Sequence, residues 1–448
     1  MINFDLLEKD RKYIWHPYTQ MKDYEKEYPV LIEKGEGCRL YDHEGNVYYD
    51  TISSWWCNVH GHNHPYIQSA IKKQLSELDH VLFAGFTHKN AILLAESLVQ
   101  CSPENLSKVF YSDNGSTSCE VALKMSFQFW KNKGQEKKEK FIGLENGYHG
   151  DTIGAMSVGG DSVFNQTFAP LLFDAFKIPS PYCYRCPCAK KRETCAIECV
   201  DPLEELLKEH SNEIAGIILE PMMQGAGGFI IYPVEYLKKV AALADAYNIH
   251  LIVDEVATGF GRTGKMFAVE HAGVKPDFMC LSKGITNGTL PLAATLTTDE
   301  IYDAFYADYT SNMTFYHGHT YTANPLSTAA GFASLELFKK EKTLENAAAK
   351  IVTFHKVIQK FREIPIVGDV RHIGMVAAFE LVKNRQTKKP FSFEDRIGLS
   401  VYKKGLKNGL ILRPLGNVIY LFLPLCVTEE ELMDITDRTH NVLTSLAV

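Results

Sequence analysis

The sequence lacks the features of secreted, membrane-spanning and repetitive proteins. No apolar stretch in its 448 residues is long enough to span a bilayer. Residues 1–12 mix acids with bases and contain no apolar segment of the kind that secretory signals carry. The chain also has no internal repeat and no low-complexity linker. These absences favour a cytoplasmic protein without a membrane partner, and the length predicts two or three domains.

Basic clusters are missing as well. The chain has 47 Lys and Arg against 54 Asp and Glu, which gives a formal net charge of −7. Proteins that bind nucleic acid or an anionic membrane commonly carry a basic surface, so this balance argues against both kinds of partner. Hydrophobic residues make up 46% and charged residues 23% of the chain, a composition typical of globular enzymes.

Most of the eleven cysteines are scattered, as free thiols are in a reducing compartment. Five lie in one segment: Cys183, Cys186, Cys188, Cys195 and Cys199. Their spacing, C-x-x-C followed by C-x-x-x-C, could hold zinc or an iron–sulfur cluster. The segment is rich in Pro, Lys and Arg and lacks a second C-x-x-C knuckle, which favours a stiff surface loop of free thiols. We therefore predict no metal, and the metal alternative stays open.

Strand and helix patterns alternate through the middle of the chain. Apolar runs predict strands at 109–111, 141–144, 214–219 and 249–253. Helical periodicity predicts helices at 65–78, 90–100, 117–131 and 233–247. This βαβ alternation predicts an α/β fold in which helices cover both faces of a mostly parallel sheet.

The two ends of the chain predict a smaller α+β domain. Short strands are expected at 40–42, 47–49, 376–381, 410–412 and 419–423, with a helix-rich connection at 325–361. A capping box at 428–431 opens the last helix. We assign residues 1–60 and 326–448 to this small domain. Residues 61–325 then form the large domain.

A carboxylate and a lysine follow two neighbouring apolar runs. Asp254 ends the first run and opens DEVATGFGRTG, and Lys283 follows the second run in LSKG. Neighbouring parallel strands would bring both side chains to the same edge of the sheet, where α/β proteins bind ligands. A buried acid near a buried lysine suits pyridoxal 5′-phosphate (PLP). The lysine forms a Schiff base with PLP, and the acid keeps its pyridine nitrogen protonated.

Two further features fit a phosphorylated, flat cofactor. The segment 112–117 (SDNGST) follows one predicted strand and precedes a helix, so its small residues and the helix N–H groups can hold an anion. Tyr148 follows the predicted strand 141–144, and an aromatic side chain there can stack on a cofactor ring.

With these motifs the chain resembles the class III (subgroup II) PLP-dependent aminotransferases of fold type I along nearly its whole length. The resemblance implies that Lys283 carries the cofactor, that Asp254 contacts its pyridine nitrogen and that Tyr148 stacks on its ring. Gly115 and Ser116 match the family's phosphate-loop positions.

Two more residues match family positions. Glu220, in the sequence LEP, matches an active-site glutamate. Thr320, in HGHT, matches the threonine that reaches the cofactor phosphate of the neighbouring subunit. The resemblance therefore implies a homodimer with shared active sites.

Three segments resemble one branch of this family: WHPY at 15–18, SSWW at 53–56, and Arg413-Pro414 with Tyr420. That branch converts 8-amino-7-oxononanoate to 7,8-diaminononanoate in biotin biosynthesis by a ping-pong mechanism. The resemblance implies substrate contacts from Tyr18, Trp55, Trp56, Arg413 and Tyr420. This substrate is a long aliphatic chain with a carboxylate at its far end. Two indoles could wall an apolar tunnel for the chain, and an arginine could bind the carboxylate bidentately.

The amino donor stays open between lysine and S-adenosylmethionine. His319 stands where the better-known S-adenosylmethionine type has proline, and the cysteine-rich segment 183–199 is a second departure. These departures lead us to lean towards lysine. Two other functions remain: another class III ω-aminotransferase acting on a diamine or ω-amino acid, or a non-catalytic PLP-fold scaffold or regulator. The scaffold commonly carries a basic DNA-binding region, and the sequence shows none.

Overall fold

The structure is a computed structural model that describes residues 2–446. Its strands are β1 (Ile32–Glu36), β2 (Arg39–Asp42), β3 (Val47–Tyr49), β4 (Leu106–Ser112), β5 (Lys140–Leu144), β6 (Phe176–Ile178), β7 (Ile214–Leu219), β8 (Met223–Gln224), β9 (Ile230–Ile231), β10 (His250–Asp254), β11 (Phe278–Leu281), β12 (Ala293–Thr298), β13 (Val367–Ile373), β14 (Val376–Asn384), β15 (Lys389–Pro390) and β16 (Val418–Phe422).

The helices of the described chain are α1 (Ile2–Tyr13), α2 (Ser53–Trp56), α3 (Pro65–Glu77), α4 (Lys89–Cys101), α5 (Gly115–Asn132), α6 (Ile153–Val158), α7 (Asp201–His210), α8 (Val234–Ala246), α9 (Asp299–Asp303), α10 (Pro325–Lys340), α11 (Thr343–Val357), α12 (Ile397–Lys407) and α13 (Glu429–Thr444). The capping box predicted for the last helix is present at Thr428 and Glu431. Among residues 2–446, no helix combines the length and apolar character that crossing a membrane requires.

The central sheet has seven strands in the order β4-β12-β11-β10-β7-β5-β6. Strands β11, β10, β7, β5 and β6 pair in parallel, and β12 runs antiparallel to β11 and β4. Every residue of β7 and β10 is buried, because apolar side chains pack on both faces of the sheet. The predicted α/β fold with a mostly parallel sheet is confirmed.

Two smaller antiparallel sheets come from the ends of the chain, one from β1, β2 and β3, the other from β13, β14, β15 and β16. Backbone hydrogen bonds join the two ends: Tyr49 N donates to Gly409 O at 2.8 Å, and Phe422 N donates to Thr51 O at 2.7 Å. These contacts support the assignment of 1–60 and 326–448 to one small domain. The boundaries stay a prediction, and residues 1, 447 and 448 lie outside the described part of the chain.

The strand predicted at 410–412 is wrong. Only Leu410 forms a bridge, parallel to Tyr49, and Ile411 N then donates to Tyr49 O at 3.1 Å. Strand β3 ends at Tyr49, so it offers no further partner. Pro414 lacks a backbone N–H, which also disfavours a longer ladder.

Helix α2 is a single left-handed turn. Its residues Ser53, Ser54, Trp55 and Trp56 have φ of 49°, 44°, 75° and 73°. Left-handed backbone costs an L-residue about 1–2 kcal/mol, so the turn needs support from its surroundings. Asp50 provides part of it by accepting from Ser54 N at 2.8 Å and from Ser54 Oγ at 2.7 Å.

Candidate active site

A cavity of about 670 Å³ opens at the carboxyl edge of the central sheet. Its lining includes Tyr148 after β5, Glu220 after β7, Asp254 at the end of β10, Lys283 after β11, and Ser116 in the first turn of α5. The expected meeting of the acid, the lysine and the anion loop at one sheet edge is therefore confirmed.

Asp254 is 4% exposed, and both of its carboxylate oxygens are held. Oδ1 accepts from Val256 N at 3.0 Å, and Oδ2 lies 2.8 Å from His149 Nδ1 in a hydrogen bond. These contacts fix the carboxylate against rotation. Sequence reasoning did not assign a role to His149, because only the fold brings it from the loop after β5 to the end of β10.

Lys283 lies beside Trp56, with its Nζ 4.5 Å from the centre of the indole ring. Its backbone adopts φ of 45°, an unusual conformation for a lysine, just after Ser282. Ser282 Oγ anchors the turn by donating to Leu292 O at 2.8 Å. Burial lowers the pKa of Lys283, and the nearby Asp254 only partly offsets this effect. A larger neutral fraction suits a lysine that must act as a nucleophile and a base.

Glu220 holds the backbone next to the cavity. Its Oε1 accepts from Tyr148 N at 3.1 Å, and its Oε2 accepts from Gly225 N at 2.7 Å. Burial raises the pKa of Glu220 to about 7. Glu220 therefore fixes the backbone N–H of Tyr148. Its pKa also lies close to neutral pH.

The start of α5 forms a cradle suited to an anion. A Cβ added at Gly115 would lie 2.6 Å from Val256 Cγ1, so glycine allows the helix to approach the loop after Asp254. A Cβ added at Gly150 would lie 2.2 Å from Ser116 Oγ, so this glycine also gives the serine room. Backbone N–H groups and the dipole of an 18-residue helix both favour negative charge here.

These residues fit PLP by their chemistry. The cradle suits a phosphate, the buried Asp254 suits a protonated ring nitrogen, and the buried Lys283 suits an aldehyde. Each group lines the same cavity. The hydrogen-bond donors and acceptors that line the cavity therefore match the groups of PLP.

Tyr18 contacts two residues that line the cavity, Tyr148 and Asp151. Its hydroxyl lies 2.9 Å from the Tyr148 hydroxyl and donates to Asp151. Burial and the Asp151 carboxylate raise the pKa of Tyr18 to about 12, so the phenol stays protonated at neutral pH. The N-terminal segment therefore packs directly against Tyr148.

The side chains of Trp55 and Trp56 pack against different groups of residues. Trp55 lies with Tyr18, at a ring-centre distance of 5.5 Å, and with Arg413, whose guanidinium carbon is 4.1 Å from its ring centre. Trp56 is 4% exposed, stacks on Phe422 and borders the cavity. The structure therefore brings Tyr18, Trp55 and Arg413 together as one group and places Trp56 in another.

Tyr420 and Thr320 lie away from the cavity surface. Tyr420 is 1% exposed and packs against Phe229, with ring centres 4.3 Å apart. Thr320 is exposed and is not part of the cavity lining of this chain. A direct substrate contact by Tyr420 has no support in this arrangement, and the role of Thr320 towards a second subunit stays a prediction.

Arg262 is a further residue that sequence reasoning did not assign. It is 1% exposed and donates to Asn58 O at 2.6 Å and to Leu423 O at 2.9 Å. Its guanidinium also reaches Ser53 Oγ at 3.2 Å. The arginine of the motif at 254–264 therefore supports the left-handed turn that carries both tryptophans.

The start of the cysteine-rich segment is joined to β14 by side-chain hydrogen bonds. Tyr182 donates to Glu380 on β14, and Arg185 Nε donates to the same carboxylate at 2.8 Å. Arg371 completes the cluster, with Nη1 2.9 Å from Glu380 Oε2. Within residues 2–446, no three sulfur atoms of this segment lie within 4.8 Å of one another. The absence of a metal stays a prediction.

Comparison with known proteins agrees with this geometry. The family model described as aminotransferase class-III matches residues 20–443. Adenosylmethionine-8-amino-7-oxononanoate aminotransferase from Geobacter sulfurreducens is 48% identical over 433 residues, covering 96% of each chain. The protein of the same name from Methanocaldococcus jannaschii is 44% identical over 454 residues, covering 99% of this chain and 98% of its own.

Solved structures give the same result. The crystal structure of the Methanocaldococcus jannaschii protein superposes with a TM-score of 0.94 at 43% identity and covers 99% of both chains. An amine transaminase from an uncultivated Pseudomonas species, in its PLP-bound form, gives a TM-score of 0.93 at 33% identity and covers 97% of this chain and 99% of its own. The chain belongs to the class III aminotransferases, which are PLP-dependent enzymes of fold type I.

Proposed function

We propose that the protein aminates 8-amino-7-oxononanoate to 7,8-diaminononanoate in biotin biosynthesis. The observation that carries the proposal is identity of 43–48% over nearly the whole chain to proteins named for 8-amino-7-oxononanoate aminotransfer. The cavity contains the acid, lysine and anion cradle that this reaction needs. Tyr18, Trp55 and Arg413 form a separate group suited to an aliphatic carboxylate.

The cofactor is held by residues already described. Gly115 and Ser116 would hold its phosphate, Tyr148 would pack against its ring, Asp254 would pair with its ring nitrogen, and Lys283 would supply the amine that carries it. When bound, PLP withdraws electrons from the amine carbon, which allows a proton to leave that carbon.

The chain's own groups then position the reactants and move the proton. Lys283 Nζ would accept the proton from the donor's amine carbon and deliver it to the carbon on the other side of the amine nitrogen, which requires the neutral amine that burial favours. Glu220 holds Tyr148 through its backbone N–H. His149 and Val256 hold the Asp254 carboxylate in one orientation.

Arg413 binds the far carboxylate of the amino ketone. A planar guanidinium makes two parallel hydrogen bonds to a carboxylate, and that of Arg413 lies over the Trp55 ring. The apolar faces of Trp55 and Trp56 contact the aliphatic chain at its two ends.

A homodimer with shared active sites is part of the proposal. The segment around Thr320 exposes several large aromatic side chains: Tyr306, Tyr309, Tyr316 and Tyr321 are 77%, 88%, 70% and 63% exposed. Aromatic side chains are enriched at protein interfaces. Sedimentation analysis tests this point, and a monomer that is fully active would contradict it.

A cytoplasmic location is also proposed. It is supported by the unpaired thiols, since all eleven cysteines are free.

The donor is open between lysine and S-adenosylmethionine. The departures at His319 and at 183–199 lead towards lysine, whereas the names of the relatives begin with adenosylmethionine. The half-reactions decide between them. The PLP form is mixed with each donor, and loss of its visible absorption band is followed.

The aminated cofactor is then given 8-amino-7-oxononanoate. Recovery of the band with this ketone supports the proposed acceptor, and the donor that removed the band is the donor. Failure of this ketone, with recovery by short ω-oxo acids or aldehydes, would instead identify another class III ω-aminotransferase. Lys283→Ala should bind PLP yet lose turnover by at least about 10³-fold, whereas the exposed-lysine control Lys265→Ala should match the wild type.

A further inference from the structure

Two buried thiols lie directly beside Asp254. Cys119 is in the second turn of α5, Cys280 is in β11, and both are 0% exposed. Asp254 pairs with Cys280 in the sheet register. Asp254 lines the cavity and neither thiol does, so both thiols lie behind the acid and away from the cavity space.

The two thiols contact each other and donate to different oxygen acceptors. Cys119 Sγ lies 3.6 Å from Asp254 Oδ2 and donates to it, while Cys280 Sγ donates to the backbone oxygen of Ser118 at 3.6 Å. Asp254 Oδ2 is the oxygen that is also hydrogen-bonded to His149. A carboxylate oxygen has two lone pairs, so it can accept from both groups.

We propose that Cys119 is a positioning residue for the cofactor-binding acid, acting through its S–H donation to Asp254 Oδ2. The thiol and His149 together occupy Oδ2. Oδ1, which accepts from Val256 N, is left with one lone pair that can face the ring nitrogen of the cofactor. The proposal rests on the proposed function only in that Asp254 contacts bound PLP.

The surroundings keep this thiol protonated. The adjacent Cys280 thiol, burial, and the negative charge of Asp254 all raise the pKa of Cys119 well above its ordinary value. A thiol that never ionises at neutral pH remains a donor and adds no second negative charge beside the acid. Cys119 therefore remains a hydrogen-bond donor to the Asp254 carboxylate.

Removing the donor should change how the cofactor binds and titrates. The Asp254 carboxylate would then lose one of the donors that hold Oδ2, so it would pair less well with a protonated pyridine nitrogen. A less positive ring lets its linkage to Lys283 keep a proton to higher pH. For Cys119→Ala we expect the dissociation constant for PLP to rise about three- to tenfold, and the pH midpoint of the visible band to rise by about half a unit.

The test uses matched variants and does not depend on the substrate. Cys280→Ala removes an equally buried sulfur that donates to Ser118 O instead of to the acid, and Cys119→Ser keeps a donor. The proposal is supported if Cys119→Ala alone shifts the midpoint and weakens PLP binding, with recovery in Cys119→Ser. It is overturned if Cys119→Ala and Cys280→Ala behave alike.

Cys119→Val, which fills the space without a donor, replaces the alanine variant if that protein does not fold. Its midpoint must then shift as predicted for Cys119→Ala, and a midpoint equal to that of the wild type also overturns the proposal. Failure of the amino ketone to react would leave these cofactor measurements unchanged, so the two proposals fail separately.

Discussion

The guanidinium carbon of Arg413 lies 4.1 Å from the centre of the Trp55 ring. Stacking of this kind restricts the arginine to one plane, which lowers the entropy it loses when it binds a carboxylate. Under the proposed function, Trp55 would therefore contribute to substrate recognition through Arg413 as well as through its own apolar face.

Arg413→Lys should weaken binding of the amino ketone. Lysine keeps the charge but has neither the planar fork nor the stack on Trp55. We expect the KM for the amino ketone to rise by about tenfold or more, since hydrogen bonds to charged groups contribute about 1.5–3 kcal/mol. Steady-state kinetics at saturating donor measures this, with the exposed-arginine variant Arg396→Lys as control. An unchanged KM would place the carboxylate elsewhere.

Gly115→Ala should weaken PLP binding. The added Cβ would lie 2.6 Å from Val256 Cγ1, which forces the start of α5 away from the loop after Asp254. We expect the dissociation constant for PLP to rise at least about tenfold, because the phosphate loses aligned N–H donors. Cofactor titration measures the effect. The double variant with Val256→Ala relieves the clash, so it should recover most of the affinity; equal loss in both variants would contradict this account.

Glu220→Gln should change the pH dependence of stability. The pKa of Glu220 is raised from 4.5 to about 7 by burial, so the folded protein keeps a proton that the unfolded chain releases between these values. This contribution is fully present below pH 4.5 and is lost as pH rises through 7.

Relative to Glu220→Gln, the wild type should therefore lose about 3 kcal/mol of unfolding free energy between pH 4 and pH 8. Denaturant unfolding of both proteins across this range measures the difference. The exposed Glu209→Gln should show no such trend. A constant difference between wild type and Glu220→Gln would show that the carboxyl is not neutral in the fold.

Glu380→Gln should loosen the cysteine-rich segment. Burial disfavours the charged form, but hydrogen bonds from Tyr182 and Arg371 outweigh it and lower the pKa of Glu380. Removing one partner of a buried ion pair costs about 3–5 kcal/mol, so we expect a lower melting temperature and faster proteolysis within 183–199. The exposed Glu394→Gln is the matched control. Unaltered proteolysis would show that the contacts of Glu380 do not stabilise the segment 183–199.

Much of the central sheet could be predicted because its parallel strands are runs of large apolar residues. β12 could not, since its sequence, Ala-Ala-Thr-Leu-Thr-Thr, has small and polar side chains although its first five residues are buried. The buried hydroxyl of Thr295 has a hydrogen-bond partner, because its Oγ1 donates to Ser118 O at 2.8 Å. A local pattern does not reveal such a partner.

The site shows the same division. Asp254 and Lys283 could be predicted because each directly follows an apolar strand. Cys119 and His149 could not, because they reach Asp254 from positions 135 and 105 residues away. The family resemblance implied a substrate contact for Tyr420 but could not show how deeply the residue is buried. In the structure Tyr420 is buried and packs against Trp56.

The left-handed turn at 53–56 places two neighbouring tryptophans where their mutation should have different effects. Trp55 faces the outer group with Tyr18 and Arg413, while its neighbour Trp56 lies over the lysine. Because one fixed turn sends adjacent side chains in different directions, mutation of the first can alter which molecules are accepted while the second continues to shelter the reacting amine. Selectivity and chemistry in this enzyme can therefore diverge independently, one residue apart.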